Sequence, residues 1–536
     1  MWVQTYDPTS NIYLSAIIAS IPLVLLFYLL AIRRKPGHIS ALTSLLTALI
    51  IATTMWKMPI HFAINSAFSG MVFGMFPIVW IIVTTIWIYN MTIESKQFET
   101  IKVSLSKITD DRRLQAVFIA FAFGAFIEGT AGFGTPVAIT SAMLVGLGFV
   151  PIYAAKICLL ANTAPVAFGA IGIPIIVAAD VSKLDLLSIS KVVGIQVAIV
   201  ALIVPFWLSL VMSGLKKTFE IIHFLIFSGF VYASVVFFVS NYIGPYLPDL
   251  LASITTIAAL LIFTRFIKPK SIFHFKGESI ENNKQDIILT FPVILKAWLP
   301  YIILAFVVYI WSTMPSKGFL NMLDLKISWP YLDNLIYKTS PVVPSITAYR
   351  AIYNFSYASS AGTAIFIAGL ISVLFMPSYS YKKSYQCFLK TLKQLVYPII
   401  TIASILGLAY LMNYSGMSST IGLALTSTGA LFPFFSPILG WFGVFLTGSD
   451  TSSNALFCSL QRTSAEQLGL NPVLAVSANS AGGVCGKMIS PQSIAIGAAA
   501  TGIVGKEGDI FRFAFKQSIL MVLIIAIINV IMSFML

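Results

Sequence analysis

The sequence predicts an all-α integral membrane protein with about 12 transmembrane helices, two re-entrant hairpins and two inverted structural repeats. Three observations carry this. Of 536 residues, 58% are hydrophobic and 10% charged, with a mean hydropathy of +0.92, whereas soluble domains carry about 25% charged residues. Apolar stretches long enough to cross a bilayer recur from one end of the chain to the other. A pair of polar, glycine-rich motifs also occurs twice, at spacings of 317 and 319 residues. A water-soluble surface cannot be built from this composition.

The first apolar run, 12–32, follows a short polar segment without a basic region, and no small-residue cleavage site follows it. It is expected to be a retained helix rather than a signal peptide. Runs 39–57, 70–93, 152–178, 191–214, 222–240, 247–267, 292–313, 358–376, 390–412, 473–501 and 515–535 are also of spanning length. Regions 114–149 and 433–462 are interrupted midway and read as hairpins that enter the membrane and return. A non-helical tip at that depth is tolerated only under protein or water.

Charge orients this scheme. With the N-terminus outside, the inner loops 33–38, 94–113, 215–221, 265–290, 377–389 and 502–516 hold 20 of the 33 Lys and Arg residues, and the outer loops hold seven. Basic residues gather on the cytoplasmic side, so both termini are expected outside a plasma membrane. Single crossings in place of the hairpins would swap loop sides and weaken the bias. The net charge of +14 therefore needs no nucleic-acid partner. Segment 94–113 is amphipathic and expected to lie on the inner surface, whereas the long outer connection 314–357 suggests no role. The four cysteines (Cys158, Cys387, Cys458 and Cys485) have no metal-ligand spacing, and neither disulfides, metal nor cofactor is expected.

The repeat rests on two alignments. "ANTAPVAFGAIGIP" (161–174) matches "ANSAGGVCGKMISP" (478–491) at Ala, Asn, Ala, Gly and Pro, with Thr163 opposite Ser480; ordinary residue usage supplies about one match. "GAFIEGT" (124–130) matches "GVFLTGS" (443–449). The expected organisation is a first repeat over 1–214 with hairpin 114–149 and broken helix 152–178, a two-helix linker and cytoplasmic loop over 215–290, and a second repeat over 291–536 with hairpin 433–462 and broken helix 473–501. An odd number of crossings separates the two hairpins, which inverts the halves. Small residues in membrane helices often serve close packing, but the same breaks at matched positions in inverted halves point to a binding site.

Charges at membrane depth are expensive and mark function. Glu128 and Asp450 sit at the two hairpin tips and are candidates for proton coupling. The alternative is a carboxylate neutralised by Lys156, Lys487 or Arg462. Asn162 with Thr163, and Asn479 with Ser480, supply amide and hydroxyl groups beside helix breaks, suited to a small carboxylate; a plain capping role competes for each Asn. Gly129, Thr130 and Gly132 of the first tip, Ser452, Ser453 and Asn454 of the second, and Lys487 complete the substrate-binding candidates. The four histidines lie outside these motifs, and no hydrolytic or metal motif accompanies them, which disfavours an enzyme. An anion channel is the competing transport class.

"EGTAGFGTPVAI" (128–139), "LTGSDTSSNALF" (446–457) and "NSAGGVCGKMISPQSIAIGAAA" (479–500) closely resemble the L-lactate permease family, over essentially the whole chain. The chain is also similar, more distantly, to the ion transporter superfamily, whose paired hairpins imply an elevator-like motion. The family resemblance implies proton symport of L-lactate, D-lactate and glycolate across a bacterial plasma membrane, with the bilayer as partner. These motifs do not separate lactate from glycolate. Sodium coupling through tip hydroxyls and carbonyls stays open, as does a homodimeric assembly.

Overall fold

The computed structural model describes residues 1–29, 33, 35–106, 108–130, 132, 134–269, 271–275, 290–312, 316–343, 345–376, 379–503 and 506–535. Three of the basic residues assigned to the 265–290 loop (Lys270, Lys276 and Lys284), and Ala131 and Phe133 of the first glycine-rich motif, lie outside these.

Helix dominates. Among the described residues, ten helices are long and apolar enough to span a membrane, or 11 when the pair Pro151–Ala161 and Val166–Ser182, bent by 65°, is taken as one span. The chain is a multi-pass membrane protein. Twelve spans were expected. Ile12–Leu26, Thr135–Gly146 and Ala361–Val373 are apolar but shorter than a crossing, and region 473–501, expected as a broken helix, consists of Pro472–Lys487 and Pro491–Ala500. The expected 390–412 span is two elements: an amphipathic helix, Tyr381–Gln394, bearing Lys382, Lys383, Lys390 and Lys393, and an apolar one, Val396–Ser415.

Both interrupted regions fold back on themselves. Arg112–Thr130 is wholly buried over its apolar window, and Thr135–Gly146 packs along it, with Thr140 beside Gly124. Phe432–Thr447 turns at Gly448 into Asp450–Gln467. Here Ser436 and Gln461 exchange hydrogen bonds of 2.8 and 2.9 Å, and the Ser453 hydroxyl reaches the Gly440 carbonyl at 3.3 Å. The antiparallel pairing of this second region is thus read directly from its side chains.

Packing across the chain exchanges partners. The Gly169–Ser182 helix packs on Asp450–Gln467, and Pro491–Ala500 packs on Thr135–Gly146. Leu186–Phe219 and Glu507–Ser533 run antiparallel, joined by Gln196 to Asn529 (3.0 Å) and Trp207 to Gln517 (2.6 Å). The 314–357 connection contains a hairpin of Leu325–Ser328 with Ile352–Phe355. A second small sheet takes the N-terminal strand Trp2–Val3 parallel to Ile336–Lys338, with Thr347–Ala348 on its other edge.

Candidate functional site

Each tip is a helix end made by glycine. Gly134 (φ 83°) and Gly448 (φ 71°) take the left-handed conformation, which costs an L-residue with a side chain about 1–2 kcal/mol. Glu128 stands two residues before the end of Arg112–Thr130. Asp450 instead opens the helix after its tip, behind the N-cap Ser449. The two acids therefore occupy different positions relative to their breaks.

The third break bends the 151–182 segment. Pro165 cannot continue the Pro151–Ala161 helix by hydrogen bonding, and Ala170, Ile171 and Gly172 all have positive φ. For β-branched Ile171 that is a strained state, typically about 1–3 kcal/mol. The bend presents the Pro174 carbonyl to the Asn454 amide at 3.0 Å.

These ends meet around one cavity of about 1200 Å³. Glu128 and Gly132 line it from the first tip, Thr447 to Ser452 from the second, Lys487 from Pro472–Lys487, and Val166, Gly169, Ala170 and Pro174 from the bent segment. Lys35, Pro36, Tyr397 and Gly508 also line it and are solvent-exposed, so they mark its mouth.

Behind the second tip runs a buried polar web. The Ser480 hydroxyl donates to Asp450 Oδ2 at 2.5 Å. The Asn454 amide lies 3.4 Å from the same oxygen and 3.2 Å from Ser480 Oγ. Asn479 donates to Asn454 Oδ1 at 2.9 Å and accepts from Gln461 at 3.2 Å. Lys487, 6% exposed, donates to the Gly448 carbonyl at 2.7 Å. It joins none of the ion pairs among the described residues, and it is an electrostatic neighbour of both Glu128 and Asp450. Arg462 is engaged elsewhere, with Glu466 and the Ser182 carbonyl, both at 2.6 Å. Lys156 lies over the rings of Phe513 and Tyr153.

Of the expected site residues, Glu128, Gly132, Asp450, Ser452 and Lys487 line the cavity. Gly129, Thr130, Asn162, Thr163, Ser453, Asn454, Asn479 and Ser480 are buried around it without lining it. The expected symmetry of the two Asn pairs holds on one side only. Asn162 caps the helix before the bend, and both its amide atoms are buried without a hydrogen bond. Asn479–Ser480 lies inside unbroken Pro472–Lys487, because no proline intervenes before Pro491 and Asn479 is spent on the web. Thr163 returns its hydroxyl to the Leu160 carbonyl at 2.7 Å.

Sequence reasoning missed Asp249 and Tyr232, which stand in the supposed linker. Both are buried, and the Tyr232 hydroxyl donates to Asp249 Oδ1 at 3.1 Å. The available signal was an acid two residues into an apolar run, where it reads as an ordinary first-turn residue.

Spanning helices broken around a buried, charged cavity define a membrane permease as the class. The family model for L-lactate permease matches residues 15–536, and the chain belongs to that family, a family of transporters rather than enzymes. It is 45% identical to an L-lactate permease of Bacillus subtilis, covering 98% of both chains. It is 44% identical to one of Salmonella typhi, covering 100% of this chain and 99% of that one. It is also 44% identical to the glycolate permease GlcA of Escherichia coli, covering 99% and 98% respectively.

Proposed function

We propose that the protein is a secondary transporter that imports L-lactate and related 2-hydroxymonocarboxylates, D-lactate and glycolate, by proton symport across the bacterial plasma membrane, with both termini outside. The names of its relatives support the substrate class. The observation that carries the mechanism is the convergence of Glu128, Asp450 and Lys487 on one cavity whose mouth lies at one end of the protein.

In this reading Lys487 attracts the substrate carboxylate, and Ser452 with the N-terminal end of the Asp450–Gln467 helix bonds its oxygens. Glu128 Oε2 and Asp450 Oδ1 are buried without hydrogen-bond partners, which suits groups that gain and lose a proton. The exchanged packing of the four helices at the site, and the antiparallel pairing of Leu186–Phe219 with Glu507–Ser533, support two inverted repeats with two re-entrant hairpins. Glu128→Gln in proteoliposomes is expected to abolish uphill lactate uptake and spare lactate exchange. Equal loss of both would remove the coupling role.

A further inference from the structure

A second carboxyl lies against the Glu128 helix from the linker side. Asp249 occupies the first turn of Pro248–Phe266 and is 1% exposed. Gly129 permits the approach, since a Cβ there would stand 3.0 Å from Asp249 Cβ and 3.3 Å from the Leu250 nitrogen. The Tyr232 hydroxyl holds Asp249 Oδ1, whereas Oδ2 is buried without a partner. Asp249 joins none of the ion pairs among the described residues. The titratable groups that face it are Glu128 and Tyr232. Glu128 lines the cavity and Asp249 does not.

Two buried carboxyls on packed helices, with Asp249 against Gly129 and Glu128 next to that glycine in sequence, compete for a single negative charge, and Lys487 lies on the Glu128 side of the pair. Their free oxygens are not hydrogen-bonded to each other, so transfer requires the two side chains to approach. We propose that Asp249 is a second proton-binding group of the transport cycle, exchanging a proton with Glu128. The proposal rests on the proton-coupled reading above. In the transfer one O–H bond breaks on Glu128 and one forms on Asp249, which leaves Glu128 ionised beside the cavity and Asp249 neutral behind it. The coupling proton is then held away from the cavity while substrate enters or leaves. Tyr232 is a positioning residue: it fixes Oδ1 and leaves Oδ2 free to take the proton.

The test compares wild type, Asp249→Asn and Tyr232→Phe in proteoliposomes. The readouts are lactate counterflow at equal pH, accumulation driven by an imposed pH gradient, and the pH profile of uptake. At one proton per substrate, one pH unit sustains up to about tenfold accumulation. Asp249→Asn is expected to lose that accumulation, flatten the pH profile and keep counterflow within about twofold. Tyr232→Phe is expected to shift the profile and retain accumulation. An Asp249→Asn protein with wild-type accumulation and profile overturns the proposal, and so does one that loses counterflow and accumulation together. Wild type failing to accumulate lactate under the proton gradient refutes the coupling reading itself, and Asp249's role with it.

Discussion

At the scale of single residues, Lys487 is the cation through which the proposed reading has the substrate anion received. Its ammonium faces the cavity and donates to the backbone carbonyl of Gly448; the carboxyls of Glu128 and Asp450 lie near without pairing to it. A charge-assisted hydrogen bond is worth about 1.5–3 kcal/mol, so Lys487→Gln is expected to raise the KM for lactate by roughly ten- to 100-fold. Unchanged KM in initial-rate uptake would exclude contact between Lys487 and the substrate carboxylate. Asp450 differs from Glu128 in being held by Ser480. Ser480→Ala removes that donor and is expected to change the pH dependence of uptake more than its maximal rate, which a pH series of initial rates reads directly.

At the scale of elements, Phe432–Thr447 is locked to Pro472–Lys487 by backbone contact. A Cβ on Gly440 would collide with the backbone of Asn479, and one on Gly482 with the Pro437 carbonyl. Backbone cannot move aside as a side chain can. Gly440→Ala should therefore destabilise the protein by about 1–3 kcal/mol, visible as a lowered Tm in detergent. The base of the first hairpin is tied differently. Arg113 binds Asp111 at 2.6 Å, the Lys217 carbonyl at 2.5 Å, the Ser271 carbonyl at 2.9 Å and Glu220 at 3.1 Å. The Ser271 hydroxyl and then the Arg113 guanidinium hold the Glu220 carboxyl below the usual carboxylate range. A carboxyl so lowered stabilises the fold above its unfolded value and loses that contribution as pH falls through its folded one. Hydrogen-exchange protection, taken relative to the intrinsic rate at each pH, should accordingly fall in acid at residues 215–221 and 271–275, and Glu220→Gln should remove the dependence.

Much of this was legible because apolar length and helix-breaking residues are local properties. The runs that became Gly37–Thr54, Ile222–Tyr242 and Pro248–Phe266, and the glycine breaks at Gly134 and Gly448, follow from neighbouring residues alone. What stayed hidden is set by contacts between distant segments. Asp249 comes against the Glu128 helix only because Gly129 admits it, and the continuity of Pro472–Lys487 through Asn479 reflects bonds to Asn454 and Gln461. The amphipathic Tyr381–Gln394 helix is split by the sequence reading between the 377–389 loop and the 390–412 run, because only Leu395 separates it from its apolar neighbour.

At the scale of the whole molecule, the cavity is open at one end and closed at the other. On Val396–Ser415, Tyr397, Pro398, Thr401, Ile402 and Ile405 line the cavity. Tyr410, about 20 Å along the helix from Tyr397, bonds Asp180 of the bent segment instead, with Lys183 paired to Asp180 at 3.0 Å. Alternating access requires this contact to part. Asp180→Cys combined with Tyr410→Cys is expected to be bridged by a short bis-thiosulfonate reagent and to stop uptake, with reduction restoring it, since a direct disulfide could not span a contact made by the far end of a tyrosine. Bridged protein that still transports would show that the closed end never opens.

Proton-coupled import of a small hydroxy acid is tested most directly by uptake of labelled L-lactate into proteoliposomes without sodium, with and without an inward proton gradient. Accumulation above equilibrium is expected only when the gradient is present. Uptake that never exceeds the substrate's own electrochemical gradient, or that needs sodium to do so, would contradict it.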